Sequence, residues 1–367
     1  MNKFIAWVGM CSLSVTAVVQ AAGLALSQIG TADSVGSAGV EGVTNNQDSA
    51  AVITNSAGIT GVKGLVYQVG LEYLDINQKY EEQNSGLSLS ASSEMLIPHL
   101  SMASQIDERW YYGFALYAPG GLALSYSDGL IGAGVIDSSE ITVVNLDGAI
   151  AYKVSEDFSF GITGIAQYAK MKFTLSAGDE SSDHDTNVSF ALGAQYQVLD
   201  NVLMGLTYNA SVHHDLSKLP DSVLEHDLVW PAMTALGVDY QVNRALTLNA
   251  SLNWEQWSEF GDSFDRNYDD TLGGGVSASY QFTGWRLFGG VHYDQSPIDG
   301  AENRTIDMPL DETLRIGLGA EWKLESDKLI GVAYQYMDLG HGDTDWLTQQ
   351  YRFSTNNIHY LTVSFKG

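Results

Sequence analysis

The amino-acid sequence predicts an all-β protein: a transmembrane antiparallel β-barrel of about fourteen strands, with an N-terminal hatch inside the lumen. Three observations predict it. From Lys63 onward, segments of alternating apolar and polar residues follow one another with no helical period between them. The connections between these segments alternate between short and long. No apolar run beyond Val19 is long enough for a transmembrane helix, yet only 17% of the residues are charged, where soluble domains run near ~25%. A chain that crosses a bilayer without such a helix must satisfy its backbone in a closed barrel.

The chain starts Met1-Asn2-Lys3, is apolar from Phe4 to Val19, and reaches Val19-Gln20-Ala21. A basic start, an apolar run and a small-residue site predict a signal peptide over 1–21. The single Cys, Cys11, lies inside it, so the mature chain has no disulfide. Residues 22–62 follow, rich in Gly, Ala, Ser, Thr and Asn, with weak alternation. Ala38, Val40, Val43, Ala50, Ala51, Val52 and Ile53 can still pack against a wall. This stretch is the expected hatch, and 63–367 the expected barrel.

Strands are expected near 64–81, 94–105, 110–118, 139–153, 158–175, 186–199, 202–213, 227–241, 245–258, 269–282, 285–296, 311–324, 328–338 and 352–366. In 246–255, Leu246, Leu248, Ala250, Leu252 and Trp254 alternate with Thr247, Asn249, Ser251, Asn253 and Glu255. In 314–323, Leu314, Ile316, Leu318, Ala320 and Trp322 share a face opposite Arg315, Gly317, Gly319, Glu321 and Lys323. Short turns such as Asp200-Asn201, Val242-Asn243-Arg244 and Thr283-Gly284 carry hairpin residues. They alternate with the long stretches 176–185, 214–226, 259–268, 297–310 and 339–351. A soluble sandwich has no reason to sort its loops in this way; an outer-membrane barrel has short periplasmic turns and long outer loops. Aromatics gather at strand ends, at Trp110-Tyr111-Tyr112, Phe158, Phe160, Trp285, Trp322, Tyr360 and Phe365, as an interfacial girdle would.

The formal charge is −27, and loss of Lys3 with the signal makes it −27 − 1 = −28. Such acidity argues against nucleic acid as a partner. No catalytic constellation is evident: there is no Gly-x-Ser-x-Gly elbow and no phosphate-binding Gly loop. Adjacent residues on a strand point to opposite faces, so His213-His214 and His184-Asp185 make poor joint metal ligands. Neither an enzyme nor a cofactor is expected.

Four stretches resemble the outer-membrane long-chain fatty-acid transporter family, which also holds aromatic-hydrocarbon transporters. The first runs from Ala22-Gly23-Leu24 to Asn55-Ser56-Ala57-Gly58, where the family pattern is Asn-Pro-Ala-Gly and Ser56 stands in place of Pro. The second is Tyr112-Gly113-Phe114 to Pro119-Gly120-Gly121-Leu122. The third ends in Trp254-Glu255-Gln256-Trp257-Ser258-Glu259-Phe260. The fourth is Gly290-Val291-His292-Tyr293-Asp294-Gln295-Ser296-Pro297, continuing to Trp322. The resemblance implies a fourteen-strand barrel plugged by an N-terminal hatch. It implies passive, ligand-gated uptake of hydrophobic or amphipathic molecules, with sideways exit through a kinked third strand.

Long-chain fatty acids are the favoured ligand, and neutral aromatic or alkane hydrocarbons the alternative. A general porin or adhesin-type barrel with no specific ligand stays open as well. A carboxylate needs a cation or several donors. Arg315, Lys170 and Lys172 are the candidates, expected to face inward near the outer end, and Trp257 joins them as a candidate ligand-binding residue. Without a basic group on the pocket wall, a hydrocarbon becomes the better ligand. Outer-membrane lipids and lipopolysaccharide are the expected surroundings of a monomer.

Overall fold

The computed structural model describes residues 29–84, 86, 88–126, 137–174, 179–220, 224, 226–306, 308–324, 328–346 and 349–367. The expected signal peptide and the first expected hatch residues, 22–28, lie outside the described residues.

Fourteen strands close one barrel. In chain order they are β1 Leu65–Glu82, β2 Ser88–Gln105, β3 Trp110–Tyr126, β4 Ser138–Lys153, β5 Phe158–Thr174, β6 Glu180–Leu199 and β7 Val202–Asn209. Then come β8 Met233–Gln241, β9 Leu246–Glu255, β10 Thr271–Phe282, β11 Trp285–Asp294, β12 Thr313–Lys323, β13 Leu329–Asp338 and β14 Gln349–Lys366. Each strand pairs antiparallel with the next, and β14 returns to β1 with Thr362 opposite Glu72. Closure leaves no strand of the barrel with only one neighbour.

Three strands run longer than their sequence pattern suggests, among them β6, which begins at Glu180 and so takes in residues 180–185 of a stretch expected as a loop. β2 begins at Ser88, not near 94, because the Ser-rich stretch pairs its backbone with β1, Ser90 opposite Lys79. β3 continues to Tyr126, past Pro119-Gly120-Gly121, which read as a strand end.

The two faces sort as alternation requires. Leu236, Leu252, Val276, Ile316 and Leu318 are among the apolar side chains exposed on the outside. At the short-turn end Trp110 lies 4.7 Å from Tyr152, and Phe282 stacks on Trp285 at 4.1 Å. These rings form part of an interfacial belt. Tyr111 and Tyr360 are not part of it. Both are buried, because their positions in β3 and β14 fall on the inward parity.

Residues 29–62 run inside the lumen in four short helical pieces: α1 Ala32–Gly36, a 3-10 turn Gly42–Thr44, α2 Ala51–Thr54 and a second 3-10 turn Ser56–Gly61. Thr31 caps α1 by accepting from the Ser34 amide at 3.3 Å. The segment lies directly against inward-facing glycines of the wall. A Cβ at Gly317 of β12 would sit 2.4 Å from the Val35 carbonyl oxygen, and one at Gly290 of β11 2.2 Å from that of Ser37. At Gly205 of β7 it would meet Val43 O at 2.3 Å, and at Gly193 of β6 the Asn55 side chain at 2.2 Å. Two wall serines bind it directly: Ser364 Oγ accepts from Ala32 N, and Ser101 Oγ is 2.8 Å from Ser49 Oγ. The chain therefore winds along the wall strand by strand, at distances no larger residue would allow.

Candidate functional site

The wall is interrupted between β2 and β3. Their pairing runs to Leu100 opposite Leu116, then resumes only at Ser92 opposite Ser125. In antiparallel pairing the two residue numbers have a constant sum. Here 100 + 116 = 216 and 92 + 125 = 217, so β3 carries one residue more than β2. The β3–β4 side has the same excess: Tyr117 faces Asn145 but Gly120 faces Val143, so Ala118 and Pro119 share Val144. That is a β-bulge. Pro119 has no N–H to give, and Gly121 takes φ 139°, a conformation that favours glycine. Beyond the bulge alternation fails: Leu122, Ala123 and Leu124 are all buried. Pro98 of β2, in the facing unpaired stretch, likewise lacks an N–H. One inserted residue and two prolines mark the break in the β2–β3 ladder.

The lumen next to this gap is apolar. Met95, Ile97, Leu122, Leu124, Met171 and Phe173 belong to one buried cluster with Trp230, Trp257 and Phe260 from the long loops. Those loops reach over the outer mouth. Val212–His214 pairs with Leu228–Trp230 as a small hairpin, and α3, Trp257–Asp262, follows β9. Trp257 is buried, edge-on to Phe260 at 5.4 Å, and its Nε1 donates to Glu255 at 2.9 Å.

Above the N-terminal segment lies a cavity of about 120 Å³, reaching Pro119 of the bulge. Val43, Ile53, Ile165, Val212, Trp230 and Met233 supply apolar lining. Part of its wall is a polar relay. His214 Nε2 donates to Gln167 Oε1 at 3.0 Å, Gln167 Nε2 to Asn145 Oδ1 at 2.9 Å, and Asn145 Nδ2 to Tyr117 Oη at 3.1 Å. Tyr117 is the residue just before the bulge, so the relay ties the bulge to an outer loop. His213 is exposed while His214 is buried, on opposite faces as strand geometry demands.

The candidate cations fare unequally. Arg315 does face inward and is buried. It donates to Asp294 Oδ2 at 2.5 Å and to His292 Nδ1 at 2.7 Å. Its charge is therefore already matched. Arg304, in the loop before β12, is matched the same way by Asp311 at 3.0 Å. Lys170 and Lys172 correct the inward expectation. On β5 the inward parity belongs to Ala169, Met171 and Phe173, so both lysines face outward. Lys170 is 3.7 Å from Glu140, and Lys172 is 3.0 Å from Glu180. The period-two pattern had assigned both lysines to one face; what it could not decide was which face met the lumen.

Asn55-Ser56-Ala57-Gly58 does form a structural unit. Asn55 is buried; its Nδ2 donates to Val43 O at 2.8 Å and to the wall carbonyl of Ala194 at 3.1 Å. Its Oδ1 accepts from Ala57 N at 3.2 Å and so caps the second 3-10 turn. Ser56 packs on Gly161 of β5, and a Cβ on Gly58 would lie 1.9 Å from Asn45 O.

Tyr117, Asn145, Gln167, His292 and Asp294 were not foreseen as site residues. Polar alternation alone does not say which inward amides meet. His292 and Asp294 did stand in a stretch that resembled the family.

A closed fourteen-strand barrel with an apolar lumen and an N-terminal segment inside it is the architecture of an outer-membrane transporter. Comparison with known proteins places it further. The family model described as outer membrane protein transport protein (OMPP1/FadL/TodX) matches residues 12–359, and the chain belongs to that family. A long-chain fatty acid transport protein of Salmonella typhi is 24% identical, covering 86% of each chain. Outer membrane protein P1 of Haemophilus influenzae is 24% identical over 84% of this chain and 69% of its own length. Among solved structures, a Pseudomonas aeruginosa FadL homologue aligns with TM-score 0.80 at 19% identity, over 94% of this chain and 99% of that one. The Pseudomonas putida toluene transporter TodX aligns with TM-score 0.72 at 17% identity, over 93% and 98%. The protein is thus an outer-membrane transporter of hydrophobic substrates and not an enzyme.

Proposed function

We propose that the protein takes up neutral hydrophobic small molecules, which rest in the lumenal cavity and leave sideways between β2 and β3 into the bilayer. The N-terminal segment acts as a hatch that closes the straight path to the periplasm. The observation that supports this reading is the one-residue excess in β3, which breaks the β2–β3 ladder beside an apolar lumen. An apolar solute loses contact with water along the whole route, which is favourable throughout.

The choice of a neutral ligand over a fatty carboxylate rests on Arg315 and Arg304. Both already face carboxylates, and Lys170 and Lys172 point away from the lumen. A carboxylate entering the cavity would be buried without a cation, at a cost of several kcal/mol. The names of the Salmonella typhi and other relatives favour the fatty-acid reading instead. Equilibrium binding of a matched acid and hydrocarbon in one detergent separates the two; tighter binding of the acid would reverse the choice.

Deleting Pro119 tests the exit. It brings 100 + 116 and the shifted pair 92 + 124 to one sum, so β2 and β3 share one register on both sides of the present break, with Pro98 alone lacking an N–H. Uptake of labelled p-xylene into cells should fall to the level of cells lacking the protein, with the heat-modifiable folded band retained. Undiminished uptake by the folded deletion variant would refute lateral exit.

A further inference from the structure

The outward face of β5 changes character at Tyr168. Toward the short turns its outward positions are Phe158, Phe160, Ile162, Gly164 and Ala166; toward the long loops they are Lys170, Lys172 and Thr174. From Phe158 to Tyr168 a strand tilted by about 40° climbs about 25 Å, the height of a barrel's apolar band. Tyr168 therefore stands at the outer aromatic belt. The two lysines follow one and two steps above it, on the side of the wall that faces lipid. The long loops mark that end as the outer one, so the layer at this height is the headgroup layer of the outer leaflet.

Register sets the neighbours of the lysines, since residues directly opposite on paired strands share a face. Thr142 of β4 and His184 of β6 flank Lys170, and Glu140 and Ser182 flank Lys172. His184 and Ser182 are exposed, and the His184 ring lies 5.8 Å from that of Tyr168. Lys170 and Lys172 keep 35% and 31% of their side chains exposed. Two carboxylates are near. Glu140 is 3.7 Å from Lys170, too far for a hydrogen bond, so the ammonium hydrogens remain for another acceptor. Glu180 is 3.0 Å from Lys172 but 54% exposed, and such a surface pair contributes little. The other acids on this part of β6, Asp183 and Asp185, have the inward parity and face Lys218 and His214.

β1 and β2 carry the opposite chemistry at the same step: after Tyr73 comes Asp75, directly opposite Glu94. In a chain of formal charge −27, the β4–β6 face thus offers the headgroup layer two lysines, an imidazole and two hydroxyls on adjacent strands. We propose that Lys170, Lys172 and His184 form a binding site for a phosphate group carried by an outer-leaflet lipid, the phosphorylated glycolipid lipopolysaccharide. The ammonium groups meet the phosphate as point charges, and the His184 ring and Ser182 hydroxyl add N–H and O–H donors. The acyl chains lie along the apolar band from Tyr168 down to Phe158. A free phosphate would gain only the polar contacts; a lipid gains both. The lipid stays on the outer wall, so the site is independent of which molecule the lumen carries.

The test is equilibrium binding of lipid A bearing two phosphates, and of the same lipid A stripped of both, to the purified full-length protein in one detergent. A chelator excludes bridging metal ions. The wild-type protein should bind the phosphorylated form about thirtyfold more tightly, as expected for two lysines at an anionic headgroup layer. Lys170→Gln combined with Lys172→Gln should bring the ratio of the two affinities toward one, with the heat-modifiable folded band retained. Lys170→Arg combined with Lys172→Arg should keep most of the ratio. Lys79→Gln, which removes an outward cation of β1, should leave it unchanged. Inorganic phosphate at matched concentration should not displace the lipid. Equal wild-type affinities, or a ratio that survives in the folded double glutamine variant, would overturn the site. A comparable loss with Lys79→Gln would mean that net charge alone decides and would overturn it too. Displacement by inorganic phosphate would overturn the assignment to a lipid.

Discussion

Lys366, on the last barrel strand, places its Nζ 2.8 Å from Asp33 Oδ2 in the first helix of the N-terminal segment. The same Nζ is 2.7 Å from Asp48 and 2.8 Å from Glu321. Arg286 lies alongside, 3.0 Å from Glu321 and 3.7 Å from both Asp33 and Glu41. Two cations and four carboxylates thus join the segment to the wall, around a polar cavity of about 510 Å³ at the short-turn end. In the sequence, nothing marks the role of Lys366. In the fold, Lys366 has the inward parity and fastens the segment to the strand that closes the barrel.

Lys366→Met should loosen that fastening. Removing one partner of a buried ionic group costs about 3–5 kcal/mol, because the carboxylates stay buried without it. The barrel itself, held by backbone pairing, should keep its heat-modifiable band. Planar bilayers should show intermittent ion conductance for the variant and little for the wild type, with Lys366→Arg intermediate. A silent Lys366→Met channel would mean that the glycine-lined contacts hold the segment without the charges.

The acidity of Glu41 makes the docking depend on pH. Burial pushes its carboxyl up to about 7, against the pull of Arg286. Below its ordinary value of 4.5, folded and undocked states are both protonated and nothing is lost. Between there and about 7 only the undocked state gives up its proton, so docking weakens as the pH rises, then levels off. Asp33 works in the opposite direction. Burial pushes it up, but Lys366 and Arg286 hold it well below the usual range, so its contribution persists above that range and disappears only in strong acid. Openings in planar bilayers should therefore become more frequent from pH 5 to pH 7.5. Glu41→Gln should remove that slope, and a slope that survives would assign the titration to another group.

Arg315 and Asp294 should behave as one unit. Arg315→Met leaves Asp294 buried and unmatched, and should lower the temperature at which the folded band disappears by an amount corresponding to about 3–5 kcal/mol. Adding Asp294→Leu should recover most of that loss, since an apolar pair removes the stranded charge together with its partner. A double variant no more stable than Arg315→Met would show that Asp294 is held mainly by Asn253 and His292. If Arg315 were instead a ligand's cation, its removal would weaken a fatty acid alone and leave the folded band unmoved.

The barrel was legible in the sequence because its signal is local. A strand alternates side chains with period two, and a wall with lipid on one side and the lumen on the other imposes that alternation on most of its strands, as in Leu314 to Trp322. Short turns and long loops are likewise written in consecutive residues. The relation between β2 and β3 was half legible. Pro119-Gly120-Gly121 marked an irregularity, and the family resemblance implied a kink, but the single extra residue appears only when both neighbours are paired and their numbers compared.

The sequence by itself thus determined the class of wall, the short turns and, away from the bulge in β3, which residues share a strand face. Only the tertiary structure decided which face of β5 met the lumen, and so turned Lys170 and Lys172 outward. Only it brought Asp294 to Arg315, His292 to Arg315, and Asp33 to Lys366, pairs that lie on different strands or at opposite ends of the chain. Charge at a site is a sum over neighbours, and neighbours across a barrel are set by register and closure. Alternation carries no information about either. The inward glycines make the same point: in the sequence Gly205, Gly290 and Gly317 read as small residues in strands, and the backbone that needs their missing side chains belongs to residues 35–43.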